Sequence, residues 1–384
     1  MSPQTFSGLY IHIPFCRTKC PYCDFYSCTD LHFVHAFTAA LEKEILFYCT
    51  SFPSADTLYL GGGTPTALPD AALSDIMASV RKQIAISTDA EITIEANPND
   101  LSREKLAHLR SLGFNRLSIG VQSFDDAMLQ FLGRRHTADE ARRSIDFARE
   151  AGFDTISIDL MYALPGQSRE GWTATLNEAL RFSPEHLSCY QLTIKEGTPF
   201  FDCARMAAFQ PCAEQDEAEF FMFTSAFLEE RGYGHYEVSN FARAEKFQAR
   251  HNSKYWEHKL YLGLGPSAHS FDGRRRWWNV RSVEGYIEKL LGAADETPDV
   301  IRQETMPAGG SELLTDEQLR MEALMLGLRT RRGVALELAL TFPHASATLQ
   351  KLQADGLLIM SNNRLAPTTH GLLLADSLAL RFLE

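Results

Sequence analysis

Short β-branched and aliphatic runs alternate with amphipathic stretches through the first 240 residues. Residues 9–13 (LYIHI) read as a strand, and residues 31–48 carry apolar groups at helical spacing. Residues 57–60 form a second strand that runs into Gly61-Gly62-Gly63-Thr64-Pro65. A helix over 69–84 follows, with Pro69 near its start. Further strands are expected over 91–95, 116–121, 155–160 and 186–194. Helices separate them: one capped by Ser102 and closed at Gly113, one over 138–150 closed at Gly152, and one over 172–182. Another, over 214–231, stops at Gly232. Six strand–helix units in series predict an α/β fold with a parallel sheet and helices outside. That is a partial (β/α)6 barrel, about three quarters of the eight-stranded one, with its site at the C-terminal ends of the strands.

Beyond residue 232 the pattern changes. Residues 233–280 crowd aromatics, histidines and glycines without a period and predict loop-rich structure; residues 300–314 predict a linker. From about 315 a helical pattern and then a hairpin predict a small winged-helix-like domain, so the expected domains are 1–240, 241–310 and 311–384. Winged helices often bind DNA, but residues 312–384 hold eight acids and seven bases, net −1, and the whole chain carries −12. Neither balance favours nucleic acid. With 45% hydrophobic residues among 384, the chain can bury a sizeable core. No apolar run is long enough to span a bilayer. The N-terminal MSPQTFSG lacks the charged and apolar regions of a secretory leader, so a cytoplasmic location with reduced thiols is expected.

The candidate chemistry gathers at predicted strand ends. Cys16, Cys20 and Cys23 form C-x3-C-x2-C just after the first strand, between Pro14 and Asp24. Thiolates so spaced can share one metal centre, and three of them leave a fourth position open. A zinc site would need a fourth ligand, with Cys28, His12 and His32 as the nearby choices. A disulfide framework is not supported, because Cys49, Cys189, Cys203 and Cys212 are scattered. The GGGTP turn lets backbone approach a ligand, but its spacing is neither a P-loop nor a dinucleotide fingerprint. Glu95, Gln122 and Asp159 stand at or near the ends of strands three, four and five. A carboxylate there can hold a ribose diol or an ammonium, or form a plain salt bridge. Arg134 can clamp a carboxylate or sit solvated. No hydrolase constellation is visible.

The motifs YIHIPFC-x3-C-x2-C, GGGTP, TIEANP, RLSIGVQSF, DLMYALPGQ, YEVSNFA, HNSKYW and YLGLGPSAHS, in this order, resemble the radical S-adenosylmethionine (SAM) proteins. Within them they resemble the group of oxygen-independent coproporphyrinogen III oxidase and its heme-chaperone relatives. The resemblance implies a [4Fe–4S] cluster on Cys16, Cys20 and Cys23, with SAM on its fourth iron. Tyr10 and Tyr22 would touch SAM from the cluster side, and Gly62, Gly63 and Thr64 would face its methionyl part. Glu95, Gln122, Arg134 and Asp159 would hold its carboxylate and ribose. The oxidase pattern has a further cysteine where this chain has Phe25, and a longer segment before the cluster loop. Both departures point to the heme-chaperone branch. That branch implies heme as ligand, delivery to client hemoproteins such as membrane respiratory enzymes, work at the inner face of the membrane, and no coproporphyrinogen decarboxylation; a homodimer is admitted. The oxidase is the alternative function. His251 in HNSKYW is the candidate heme ligand, with His235 and His269 behind it. Arg274-Arg275-Arg276 beside Trp277-Trp278 is the surface that would meet a membrane or heme propionates.

Overall fold

The computed structural model describes residues 6–292 and 307–383. In chain order the first half comprises β1 (Ser7–Ile13), α1 (Val34–Tyr48), β2 (Ser54–Gly62), α2 (Asp70–Gln83), β3 (Ala85–Ala96), α3 (Arg103–Ser111), β4 (Arg116–Gln122), α4 (Asp126–Phe131) and α5 (Ala138–Glu150). Then come β5 (Thr155–Tyr162), α6 (Arg169–Arg181), β6 (His186–Gln191), α7 (Pro199–Arg205), α8 (Glu214–Glu229), β7 (Gly234–Glu237), β8 (Asn240–Ala242) and α9 (Arg250–Trp256). The remainder is β9 (Tyr261–Leu264), β10 (His269–Phe271), β11 (Arg275–Asn279), α10 (Val283–Leu291), β12 (Ala308–Leu313), α11 (Asp316–Gly327), β13 (Val334–Ala335), α12 (Leu336–Ala339), α13 (Ala345–Ala354), β14 (Leu358–Ser361), β15 (Arg364–Pro367), α14 (Thr369–Leu373) and α15 (Ala375–Leu378). All six expected strand–helix units form. Ser102 caps α3 by accepting from the Lys105 amide, and Gly113 and Gly152 end their helices at φ +85° and +81°. At Gly152 no neighbour crowds the site, so the backbone angle alone calls for glycine.

The chain divides into two compact units. The first holds residues 1–156, 195–201 and 259–313. Its sheet runs β12-β11-β10-β9-β1-β2-β3-β4, parallel from β9 to β4 and antiparallel from β9 to β12. The register sorts the two faces. Leu9, Ile11, Ile13, Leu58, Leu60, Ile94, Leu117 and Ile119 share one face and are almost fully buried. Tyr10, His12, Tyr59, Gly61, Thr93, Glu95, Ser118 and Gln122 share the other. Strict two-residue alternation thus gives an apolar face and a polar one within each strand.

Antiparallel strands β9–β12 extend this sheet where loops and a linker were expected. Their anchor is Glu44 of α1, which is fully buried and accepts from the Gly265 amide (2.8 Å), Asn279 Nδ2 (2.7 Å) and Tyr286 Oη (2.6 Å). Burial pushes its carboxyl up to about 7, against the pull of these three donors. The part of the expected linker before residue 307 lies outside the described residues; Ala308–Leu313 is a strand.

The second unit holds residues 157–194, 202–258 and 314–384. In it β6 pairs parallel with β5 and antiparallel with β8, which also pairs with β7. Residues beyond 314 form the expected helices and hairpin, with the small sheet β13-β15-β14 packed on a core that includes Leu324, Leu328, Leu352, Leu365 and Phe382. Backbone bonds from Val238 to Arg329 (3.1 Å) and from Arg331 to Tyr236 (2.9 Å) tie this C-terminal part into the same unit.

Candidate cluster and cofactor site

The cysteine loop starts where β1 ends. Reciprocal backbone bonds close it: Cys16 N donates to Cys28 O (2.9 Å) and Cys28 N to Pro14 O (2.6 Å). Inside it, Cys23 N donates to Cys20 O (3.1 Å). The charge of Cys20 acts on both Cys16 and Cys23. Burial is the main force raising the thiols of Cys16 and Cys23 above the ordinary cysteine range. Thiols so placed ionise only beside strong positive charge, which bound iron supplies. Among the described residues no three His, Cys, Asp or Glu side chains close around a single metal ion.

Each nominated fourth zinc ligand is engaged elsewhere. Cys28 Sγ accepts from the Asp30 amide at 3.3 Å. His32 pairs with Asp30. His12 bonds through Nε2 to Tyr26 O (2.9 Å) and through Nδ1 to Tyr10 Oη (3.1 Å), and burial lowers its pKa to about 4. The donor set for the loop is therefore three thiols, which fits a cluster with one open corner.

The glycine turn is welded to this loop. Gly63 N donates to Ile13 O and Thr64 N to Phe15 O, both at 2.8 Å, and Gly62 N donates to Glu95 Oε2 at 3.1 Å. A side chain at Gly62 would lie 2.5 Å from the His12 ring, at a φ of +103°. All three amides are engaged within the protein, and the glycine at position 62 allows this close packing.

A continuous polar chain leads away from the thiols. Cys16 Sγ lies 3.5 Å from Thr64 Oγ1, which accepts from Asn97 Nδ2 at 3.0 Å. Asn97 Oδ1 accepts from Arg134 Nη2, which also donates to Gly120 O at 2.6 Å. Arg134 Nη1 reaches Cys20 Sγ at 3.5 Å and returns the chain to the cluster loop. Tyr22 lies against Cys20 and Arg134. Among the described residues, Arg134 Nε is buried without a hydrogen-bond partner. An orphaned donor beside Cys20 fits a ligand carboxylate at this spot.

Glu95 is fixed by Tyr59 Oη (2.7 Å) as well as by Gly62. Gln122 closes β4 at φ +69°, a conformation rare outside glycine and found where structure around it imposes it. Its Nε2 would be 3.0 Å from a side chain at Gly120. Asp159 belongs to the second unit, where Ser157 Oγ stands 3.4 Å away. Asn97 and Tyr59 were not foreseen as parts of this site. Their signal was available, since Asn97 shares the parity of Glu95 and Tyr59 that of Gly61.

The candidate heme ligand His251 lies inside the protein. It is 1% exposed, on α9, with Nε2 bonded to Tyr255 Oη at 2.8 Å, and burial lowers its pKa to about 3. His235 is also buried, between Ser225 Oγ (2.9 Å) and Val238 O (3.1 Å). His269 is exposed.

Two family models match the chain. The Radical SAM superfamily model matches residues 10–179, and that of the HemN C-terminal domain matches residues 314–374. The solved structure of coproporphyrinogen III oxidase (HemN) from Escherichia coli superimposes with a TM-score of 0.82 at 26% identity, covering 99% of this chain and 90% of that one. The fold is thus that of a radical SAM protein, whose cofactors are a [4Fe–4S] cluster and SAM.

Among relatives, heme chaperone HemW of Bacillus subtilis is 36% identical over 85% of this chain and 84% of its own length. That of Mycobacterium tuberculosis is 33% identical over 96% and 93%. A mitochondrial radical S-adenosyl methionine domain-containing protein 1 of Mus musculus is 33% identical over 100% of this chain and 88% of its own. The chain belongs to the heme chaperone HemW family.

Proposed function

We propose that this protein binds heme and hands it to client hemoproteins. Cys16, Cys20 and Cys23 hold the cluster. Tyr10, Tyr22, Gly62, Gly63, Thr64, Glu95, Gln122 and Arg134, all of the first unit, form the SAM site. When bound, the cluster and SAM together supply one-electron chemistry, while the chain's own residues orient the cofactor and keep water from it. Arg134, braced by Asn97 and Gly120, aims its remaining donor at the SAM carboxylate.

The observation that carries this reading against the oxidase is position 25. The loop places a phenylalanine there, 63% exposed, where the oxidase pattern places a thiol. Membrane respiratory enzymes are the proposed clients, met at the inner membrane face by a peripheral protein; among the described residues no helix is long and apolar enough to cross a membrane. The HemN likeness favours the oxidase as the second reading.

The test is a heme titration of the anaerobically reconstituted protein, followed by absorption. A saturable Soret band at one defined stoichiometry supports the reading. No band, together with turnover of coproporphyrinogen III in the presence of SAM and reductant, moves the assignment to the oxidase.

A further inference from the structure

Two phenols on the polar face of the first unit have hydroxyl protons of fixed direction. His12, 4% exposed on β1, bonds through Nε2 to the Tyr26 carbonyl at 2.9 Å. A carbonyl only accepts, so Nε2 carries the ring proton. Burial is the largest influence on the ring and lowers its pKa to about 4, which leaves Nδ1 bare at pH 7. Nδ1 therefore accepts, and the Tyr10 hydroxyl 3.1 Å away donates to it. Tyr59 stands opposite Tyr10 in the β1–β2 register, with ring centroids 6.0 Å apart. It donates its own hydroxyl proton to Glu95 Oε1 at 2.7 Å. Each phenol thus directs its one donor into the protein, and toward any further group each oxygen can only accept.

The glycine turn is shaped around this arrangement. A side chain at Gly61 would lie 2.7 Å from the Tyr59 ring and 2.9 Å from the Glu95 carboxyl, against both partners of that bond. One at Gly62 would lie 2.5 Å from His12 Nδ1, the atom that takes the Tyr10 proton. The same turn is bonded to the cluster loop through the Gly63 and Thr64 amides, and Thr64 Oγ1 lies 3.5 Å from Cys16 Sγ. The surroundings of the loop are therefore divided by polarity. Arg134 brings an orphaned donor beside Cys20. Tyr10, Tyr59 and Glu95 bring acceptors. A zwitterion whose carboxylate meets the donor finds oxygen lone pairs for its positive charge at the other pole.

We propose that the Tyr10 and Tyr59 hydroxyl oxygens form the acceptor pole of the SAM site and hold the cofactor's positive charge, with His12 as a positioning residue that acts through Tyr10 by taking its proton. This pole rests on the SAM reading and adds His12 and Tyr59 to that site. A phenol able to rotate would turn its proton toward an incoming carboxylate and accept it; a phenol held by His12 presents only lone pairs and selects a cation.

Equilibrium dialysis of the anaerobically reconstituted full-length protein against SAM and, separately, S-adenosylhomocysteine tests this. The second ligand keeps the ammonium and the carboxylate but has a neutral thioether. Tyr10→Phe and Tyr59→Phe are each expected to weaken SAM binding about tenfold, the loss typical of one interaction with a charged group. Equal loss for both ligands assigns the phenols to the ammonium, and loss confined to SAM assigns them to the sulfonium. His12→Phe fills the place of the imidazole but takes no proton. It is expected to match Tyr10→Phe, and the double variant to be no weaker than either single one. His12→Gln, whose amide both accepts and donates, is expected to restore most of the binding. A further loss in the double variant would show His12 acting apart from Tyr10 and overturn the positioning role. Parent-like SAM affinity in both tyrosine variants would overturn the acceptor pole. If the parent itself binds no SAM, the cofactor reading fails instead, and the pole with it. Iron and sulfide analysis identifies any variant that does not load its cluster; should His12→Phe be one, His12→Met replaces it.

Discussion

Glu44 gives the sharpest prediction about the scaffold. It is a fully buried carboxyl with three donors and, among the described residues, no cation, and it joins α1 to the loop after β9, to β11 and to α10. Its folded pKa is about 7, against the ordinary carboxyl value of 4.5. A raised carboxyl contributes most stability below its unfolded value and loses that contribution as pH rises through the folded one. The window is therefore pH 4.5 to 7, and the loss across it is about 3 kcal/mol at 1.36 kcal/mol per unit. Glu44→Gln keeps the volume and removes the titration. It should be less stable than the parent by about 1 kcal/mol at pH 5, for its one misdirected amide, and more stable by about 2 kcal/mol at pH 8. Glu44→Ala leaves three donors unpaired around a cavity and should lose about 4 kcal/mol at pH 5. Urea unfolding at pH 5, 6, 7 and 8, read by the Trp277 and Trp278 fluorescence of this unit, measures the difference. A gap between parent and Glu44→Gln that is constant with pH, or that widens in the parent's favour as pH rises, refutes the argument.

Other consequences are simpler to test. Cys28→Ser should retain full iron and sulfide after anaerobic reconstitution, because the Cys28 thiol is turned to Asp30; serine at Cys16, Cys20 or Cys23 should each lose most of it. Arg134→Lys removes the fork that spans Asn97, Gly120 and Cys20. SAM binding by equilibrium dialysis should weaken by about 10- to 100-fold while iron content stays, since a bidentate site is poorly served by a point charge. Gly62→Ala combines a left-handed backbone with contact on His12, so thermal stability should fall by about 2 kcal/mol or more. Lowering pH from 6.5 towards 4 should destabilise the first unit through His12 and His136, both with folded values near 4 and so less protonated than in the unfolded chain. Glu44 opposes them over part of that window, and the slope should steepen in Glu44→Gln.

The six strand–helix units were legible because each strand alternates cleanly and each helix carries a local stop, such as Ser102 before α3 and Gly152 after α5. Strand β3 begins at Ala85, six residues before its expected start, because Ala85–Ala96 opens with polar, mostly exposed residues that show no alternation. Strands β9 to β12 were hidden for a related reason. They are three to six residues long, and their cores come from remote partners, Glu44 of α1 above all. The cysteine trio could be read from spacing alone. The bracing of Arg134 by Asn97, and the burial of His251, depend on contacts made across the fold, which no local pattern encodes.

The central claim is that this radical SAM scaffold carries heme rather than decarboxylating a porphyrinogen. The most direct measurement presents the reconstituted, heme-loaded protein to an apo-hemoprotein and, in parallel, the heme-free protein to coproporphyrinogen III with SAM and reductant. The account predicts one-to-one movement of the Soret band to the acceptor and no protoporphyrinogen IX. Retention of heme by the donor, with multiple turnovers of coproporphyrinogen III, would contradict it.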